Sequence, residues 1–145
     1  MRKSAYFTST RDPQTLTVRQ VMEDAVFTVS PQARGSAIAN ILAERNVGSV
    51  PVVEEDRTLV GLVSEFDLLR VMDEGQDIGQ LAATDIMTRD VVTVTEEMPV
   101  KEVVHLLQER HLLRVPVVKG KALVGVVARR DIVFGYVRAT ANYWP

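Results

Sequence analysis

The sequence predicts a mixed α/β (α+β) fold in which one β-α-β-β-α unit occurs twice. Three observations predict it. The chain repeats itself at a spacing of 65 residues, each copy alternates β-branched runs with apolar helical stripes, and 145 residues suit one compact unit. Val21-Met22 returns as Ile86-Met87, Thr28-Val29 as Thr93-Val94, and Ile41-Leu42 as Leu106-Leu107. Arg45 returns as Arg110, and Val50-Pro51-Val52-Val53 as Val115-Pro116-Val117-Val118. After a one-residue deletion in a turn, Leu59-Val60-Gly61 returns as Leu123-Val124-Gly125 and Asp67 as Asp131, now at a spacing of 64.

Each element of the first copy follows from local pattern. Thr17 to Met22 reads as a short helical turn capped by Thr17. Ala25-Val26-Phe27-Thr28-Val29 reads as a short strand ended by Ser30-Pro31. From Ser36 to Arg45, Ala37, Ile38, Ile41 and Leu42 make one helical stripe. Val50 to Val53 is wholly apolar, as a strand buried on both faces should be, and its proline belongs at a strand start or an edge. Glu54-Glu55-Asp56 is a solvated turn, Thr58 to Val63 a third strand, and Ser64 to Val71 a second helix. In the second copy Pro99 to Arg110 repeats the first helix and Lys119-Gly120 makes the tight turn. The acidic Asp73-Glu74-Gly75-Gln76-Asp77 reads as the linker. The boundaries expected are therefore an arm at 1–16, repeats at 17–75 and 76–138, and a tail at 139–145.

Composition excludes several function classes. Cysteine is absent, so disulfides, thiolate metal sites and cysteine nucleophiles are ruled out. No apolar run is long enough for a membrane span and the N-terminus lacks the apolar core of a signal peptide, so a cytoplasmic location is expected. A net charge of −2 argues against bulk attraction to nucleic acid. The charge is uneven: residues 1–75 carry net −3 and residues 76–145 net +1. Glycine loops for phosphate, a serine elbow and a zinc-histidine motif are all missing, and no metal site is expected. His105 lies among polar residues of its helix, and His111 falls near a helix C-terminus, where positive charge is favoured.

The chemistry concentrates at Gly61-Leu62-Val63-Ser64-Glu65-Phe66-Asp67, a strand entering a helix through a Ser-x-x-Asp step. A helix N-terminus offers unpaired N–H groups and a positive dipole end, and a carboxylate there can accept from a vicinal diol such as ribose. Gly61 lets a ligand approach the backbone. The same Ser64-x-x-Asp67 spacing is also a capping box, in which both side chains only satisfy the helix end.

Met22 and Met87 ahead of Thr28-Val29 and Thr93-Val94, the two Val-Pro-Val-Val runs, and Gly-Leu-Val-Ser-Glu-Phe-Asp together resemble CBS (cystathionine β-synthase) domains over roughly residues 17–138. The resemblance implies two repeats packed through their sheets in a pseudo-two-fold module, with clefts that accept AMP, ADP, ATP or related adenosyl compounds. S-adenosylmethionine and NAD are further candidates. Carried over by position, Ser64 and Asp67 would hold the ribose, the backbone of Ser49-Val50-Pro51 would meet the base, and Thr28 would line the same cleft.

The second copy keeps Asp131 but has Ala128 in place of the serine. It also has Arg114 two residues before Pro116, where relatives often place a phosphate-facing base, and Arg129 and Arg130 beside the cleft. By the same carry-over Thr93, Val115 and Pro116 complete the second set. Residues 1–16 and 139–145 are too short to hold a catalytic domain, so the expected function is a non-enzymatic nucleotide sensor, with a ligand-free dimerisation scaffold as the alternative. A homodimer is expected, with an output protein the sequence does not name. Tyr6, Phe7, Tyr143 and Trp144 are apolar residues outside the repeats.

Overall fold

The computed structural model describes residues 13–140; Tyr6, Phe7, Tyr143 and Trp144 lie outside the described residues. Among the described residues the order of elements is α1 (Val18–Val21), α2 (Gly35–Arg45), β1 (Ser49–Val53), β2 (Leu59–Ser64), α3 (Glu65–Asp73) and α4 (Ala83–Ile86), followed by α5 (Val100–Arg110), β3 (Arg114–Lys119), β4 (Ala122–Ala128) and α6 (Arg129–Ala139). The strands form two separate antiparallel hairpins, β1 with β2 and β3 with β4. Both hairpins shift register at the same repeated place, between Val52 and Val53 and between Val117 and Val118. The predicted mixed fold of two like repeats is therefore the observed one.

The expected opening strands are much reduced. Of Ala25 to Val29, only Val29 pairs, in a single parallel bridge to Val52; Val94 does the same with Val117. Val29 N–H donates to the Pro51 carbonyl (3.0 Å) and Val53 N–H to the Val29 carbonyl (2.9 Å). The next rung would need an N–H at position 51, which proline lacks. Pro116 stops Val94 in the same way, with Val94 N–H on the Pro116 carbonyl at 3.0 Å. Because each sheet has only two strands, both prolines sit on edges, where proline is tolerated.

The chain divides into two compact units whose limits are not those of the sequence repeats. One is Phe27–Val91, and the other joins, among the described residues, 13–26 to 92–140. Each has its own core. Val29, Ile38, Leu42, Val50, Val52, Val63, Leu68, Val71, Ile86 and Met87 build the first. Leu16, Val18, Val21, Met22, Val94, Val103, Leu107, Val115, Val117 and Val127 build the second. The segment that opens repeat one thus packs into the hairpin of repeat two, and the segment that opens repeat two packs into the hairpin of repeat one. Backbone bonds fix both exchanges: Glu23 pairs with Val126, and Thr88 with Leu62.

Two glycines make the exchange possible. A Cβ on Gly61 would stand 2.4 Å from the Met87 sulfur and 3.0 Å from the Thr88 carbonyl oxygen. On Gly125 it would stand 2.9 Å from both the Glu23 carbonyl oxygen and the Met22 sulfur. The repeated Met and the repeated Gly are the two halves of one contact.

Candidate functional site

Four helices start with the same device. The side chain three residues after the N-cap accepts from the N-cap N–H: Gln20 from Thr17 (2.8 Å), Asp67 from Ser64 (2.9 Å), Asp85 from Ala82 (2.9 Å) and Asp131 from Ala128 (2.8 Å). The capping role considered for Asp67 is therefore real, and it survives at Ala128 because the donor is backbone.

In the Phe27–Val91 unit, β1 and β2 bring Ser49 opposite Ser64, so the start of one strand lies beside the end of the other. Glu65 N–H donates to the Gly48 carbonyl (2.9 Å) and ties α3 to that corner. Asp67 is only 5% exposed, yet it carries four hydrogen bonds. Oδ2 accepts from Ser64 N–H (2.9 Å) and Ser64 Oγ (2.9 Å); Oδ1 accepts from Thr88 Oγ1 (3.1 Å) and Arg70 Nη2 (3.3 Å). Arg70 also donates to the Ile86 carbonyl (3.2 Å). Val50 and Pro51 are buried in the same corner, and Thr28 precedes the Val29 bridge to β1. This unit thus collects Thr28, Ser49, Val50, Pro51, Ser64 and Asp67.

The other unit repeats the layout with different chemistry. Arg114 stands opposite Ala128 where Ser49 stands opposite Ser64. Asp131 is as buried as Asp67, at 5% exposed. Burial lowers the pKa of the Arg114 guanidinium, and the nearby Asp131 carboxylate partly offsets that. Val115 and Pro116 are buried beside them, and Thr93 precedes the Val94 bridge. Arg129 and Arg130 open α6 directly after Ala128, and they also line a groove of about 700 Å³ between α5 and α6.

Sequence reasoning missed Thr88 and Arg70. Arg70 was legible as an i,i+3 partner of Asp67. Thr88 follows the repeated Met87, but only the exchange of segments brings it to Asp67, 21 positions back. His105 is solvated as expected, 80% exposed and 3.5 Å from Glu109. Among the described residues no group of three or more His, Cys, Asp or Glu could hold a metal, and no helix is long and apolar enough to cross a membrane.

Comparison with known proteins gives this geometry a family. The model of the CBS domain matches residues 18–74 and again 83–137. Protein MK0525 of Methanopyrus kandleri is 35% identical over 122 residues, which is 82% of this chain and 62% of that protein, so the chain spans somewhat under two thirds of that relative. The structure of CBSX2 in complex with AMP aligns with a TM-score of 0.76 at 28% identity, covering 84% of this chain and 96% of that one. The CBS domain pair of protein MJ0100, in complex with 5′-methylthioadenosine and S-adenosyl-L-methionine, aligns with a TM-score of 0.72 at 27% identity, covering 82% of this chain and 98% of that one. Two matched copies, two like units and structural relatives that are CBS domain pairs lead to one conclusion: the chain belongs to the CBS domain family.

Proposed function

We propose that the protein is a non-enzymatic regulatory module that binds an adenosyl ligand at the N-terminal ends of α3 and α6. The observation that carries this reading is the corner formed by Ser49, Ser64 and Asp67, in a chain similar to pairs that hold AMP or S-adenosylmethionine. In the reading, Ser64 and Asp67 take the ribose hydroxyls, the backbone of Ser49-Val50-Pro51 and Thr28 meet the base, and AMP, ADP or ATP is the ligand class. In the other unit Asp131 takes the ribose, Thr93, Val115 and Pro116 frame the base, and Arg114 supplies a cation for phosphate. Arg129 and Arg130, the first residues of α6, add two more cations beside this end of the helix. The module acts in the cytoplasm, as a homodimer, on an output protein whose affinity depends on the liganded state.

Asp67 already has four protein donors, so a diol must exchange with one of them, Thr88 Oγ1 or Arg70 Nη2, rather than add to them. What Asp67 contributes to a bound diol is its charge as acceptor, and replacing it by a neutral amide weakens that charge-assisted bond by about 1.5–3 kcal/mol, or roughly tenfold or more in affinity. Asp67→Asn should weaken AMP or ATP binding by that factor in titration calorimetry while leaving the ligand-free melting temperature within a few degrees. Unchanged affinity would remove Asp67 from the site.

The full internal satisfaction of Asp67 also favours a second reading, a ligand-free scaffold in which the same residues only cap helices. A thermal-shift series with AMP, ATP, NAD and S-adenosylmethionine separates the two. A ligand at 100 times its Kd stabilises by about 2.7 kcal/mol. No shift with any of the four at millimolar concentration would leave the scaffold.

A further inference from the structure

The two corners repeat each other in backbone but not in charge. Glu65 N–H donates to the Gly48 carbonyl (2.9 Å) and Arg129 N–H to the Leu113 carbonyl (3.0 Å), so the same bond ties each helix to its hairpin. The side chains at the matching positions differ. Ser49, Ser64, Glu65 and Phe66 hold one negative charge between them, whereas Arg114, Ala128, Arg129 and Arg130 hold three positive ones. The Glu65 carboxylate leans over its corner, since a Cβ on Gly48 would stand 3.6 Å from Glu65 Oε1. Among the described residues no cation pairs with it, and Arg70, on the same helix, is held by Asp67 and the Ile86 carbonyl. Both helices offer the same N–H groups and the same positive dipole end, so a difference in ligand preference has to come from these side chains.

We infer that Glu65 acts as a charge filter: it makes the corner of Ser49, Ser64 and Asp67 favour adenosyl ligands in inverse order of their negative charge. The corner of Arg114 and Asp131 favours them in the opposite order. This rests on the adenosyl reading above and names the residue that sorts ligands within it. A ribose held at Asp67 carries its 5′ substituent at the first turn of α3, the turn that Glu65 opens. Screening at physiological salt acts over about 8 Å, so a carboxylate at the corner still acts on a phosphate held there. Each added phosphate is repelled, while the sulfonium of S-adenosylmethionine is attracted. The electrostatic order at this corner is therefore S-adenosylmethionine ahead of AMP, and AMP ahead of ATP.

The test is titration calorimetry of the full chain with these three ligands, with Asp131→Asn present throughout to weaken the other corner. Glu65→Gln removes the charge and keeps the shape; Glu65→Arg copies Arg129 of the other repeat. Glu65→Gln should raise ATP affinity roughly fivefold, raise AMP affinity by less, and lower the affinity for S-adenosylmethionine. Glu65→Arg should widen both changes, and high salt should shrink the spread among the ligands. Circular dichroism melts of each variant confirm folding. Affinities that move together for all three ligands, or do not move, would overturn the filter and leave the adenosyl reading standing. Binding that Asp131→Asn alone abolishes would place every ligand in the other corner and overturn the filter as well. If none of the three binds the wild-type chain, the adenosyl reading and the filter fall together.

Discussion

Asp67 and Asp131 occupy the same place in the repeat and are equally buried, yet their neighbours differ. Asp67 is surrounded by neutral hydroxyls and one guanidinium; Asp131 has Arg114 close by. Removing a buried acceptor strands its donors, so Asp67→Ala should cost about 2–4 kcal/mol in urea unfolding without nucleotide. Asp131→Ala should cost about 1–3 kcal/mol, since it uncaps Ala128 and leaves a half-buried arginine without the carboxylate charge that offsets its burial. Equal stability of either variant and wild type would refute these assignments. Asp56 is a smaller case with a defined pH sign. Hydrogen bonding from the Thr58 N–H and hydroxyl holds its carboxyl below the ordinary 3.8. That stabilisation is complete above 3.8 and disappears as pH falls through the lower folded value. Asp56→Asn should therefore leave stability at pH 7 to 5 nearly parallel to wild type and flatten the loss below pH 3.8.

Glycine inside a helix usually costs about 1 kcal/mol against alanine. At Gly35, the first residue of α2, the sign should invert, because a Cβ there would stand 2.4 Å from the Ile78 carbonyl oxygen and 2.9 Å from Ile86. Gly35→Ala is expected to lower stability by about 1–3 kcal/mol in thermal unfolding. The helix C-termini offer the opposite opportunity. Asn46 and His111 close α2 and α5 at matching repeat positions with φ of 53° and 55°. A left-handed histidine costs about 1–2 kcal/mol, so His111→Gly should recover part of that, while Asn46→Gly should change little. Apolar periodicity was enough to place the helices and hairpins within a residue or two, because burial dictates both the pattern and the element. The Ala25–Val29 strand was over-read for a reason that a propensity scale does not hold: its neighbour has a proline where the ladder needs a donor. Likewise Ser64 and Asp67 were legible from spacing, whereas Thr88 was not, since its partner depends on which repeat lends a segment to which hairpin.

At the scale of the whole molecule that exchange governs how the chain can be divided. Leu16, Val18, Val21 and Met22 are at most 3% exposed in the core that holds Val115 and Val127, while Ile86 and Met87 belong to the core of Val50 and Val63. Fragments cut at the sequence repeats, 1–75 and 76–145, should each be largely unfolded alone by circular dichroism and gain structure when mixed. A fragment comprising 27–91 should fold by itself. Independent folding of 1–75 would contradict the exchange.

The pairing of Glu23 with Val126 also orders events on the ribosome. The unit from Phe27 to Val91 is contiguous and can collapse as soon as it has emerged, through contacts close in sequence. Its companion cannot: α1 must wait, with its apolar face unburied, until synthesis has run some hundred residues further and delivered β4. A slow late phase in refolding that reports on Val18 and Val21, after the middle of the chain has already become protected from hydrogen exchange, is the kinetic signature such an architecture should leave.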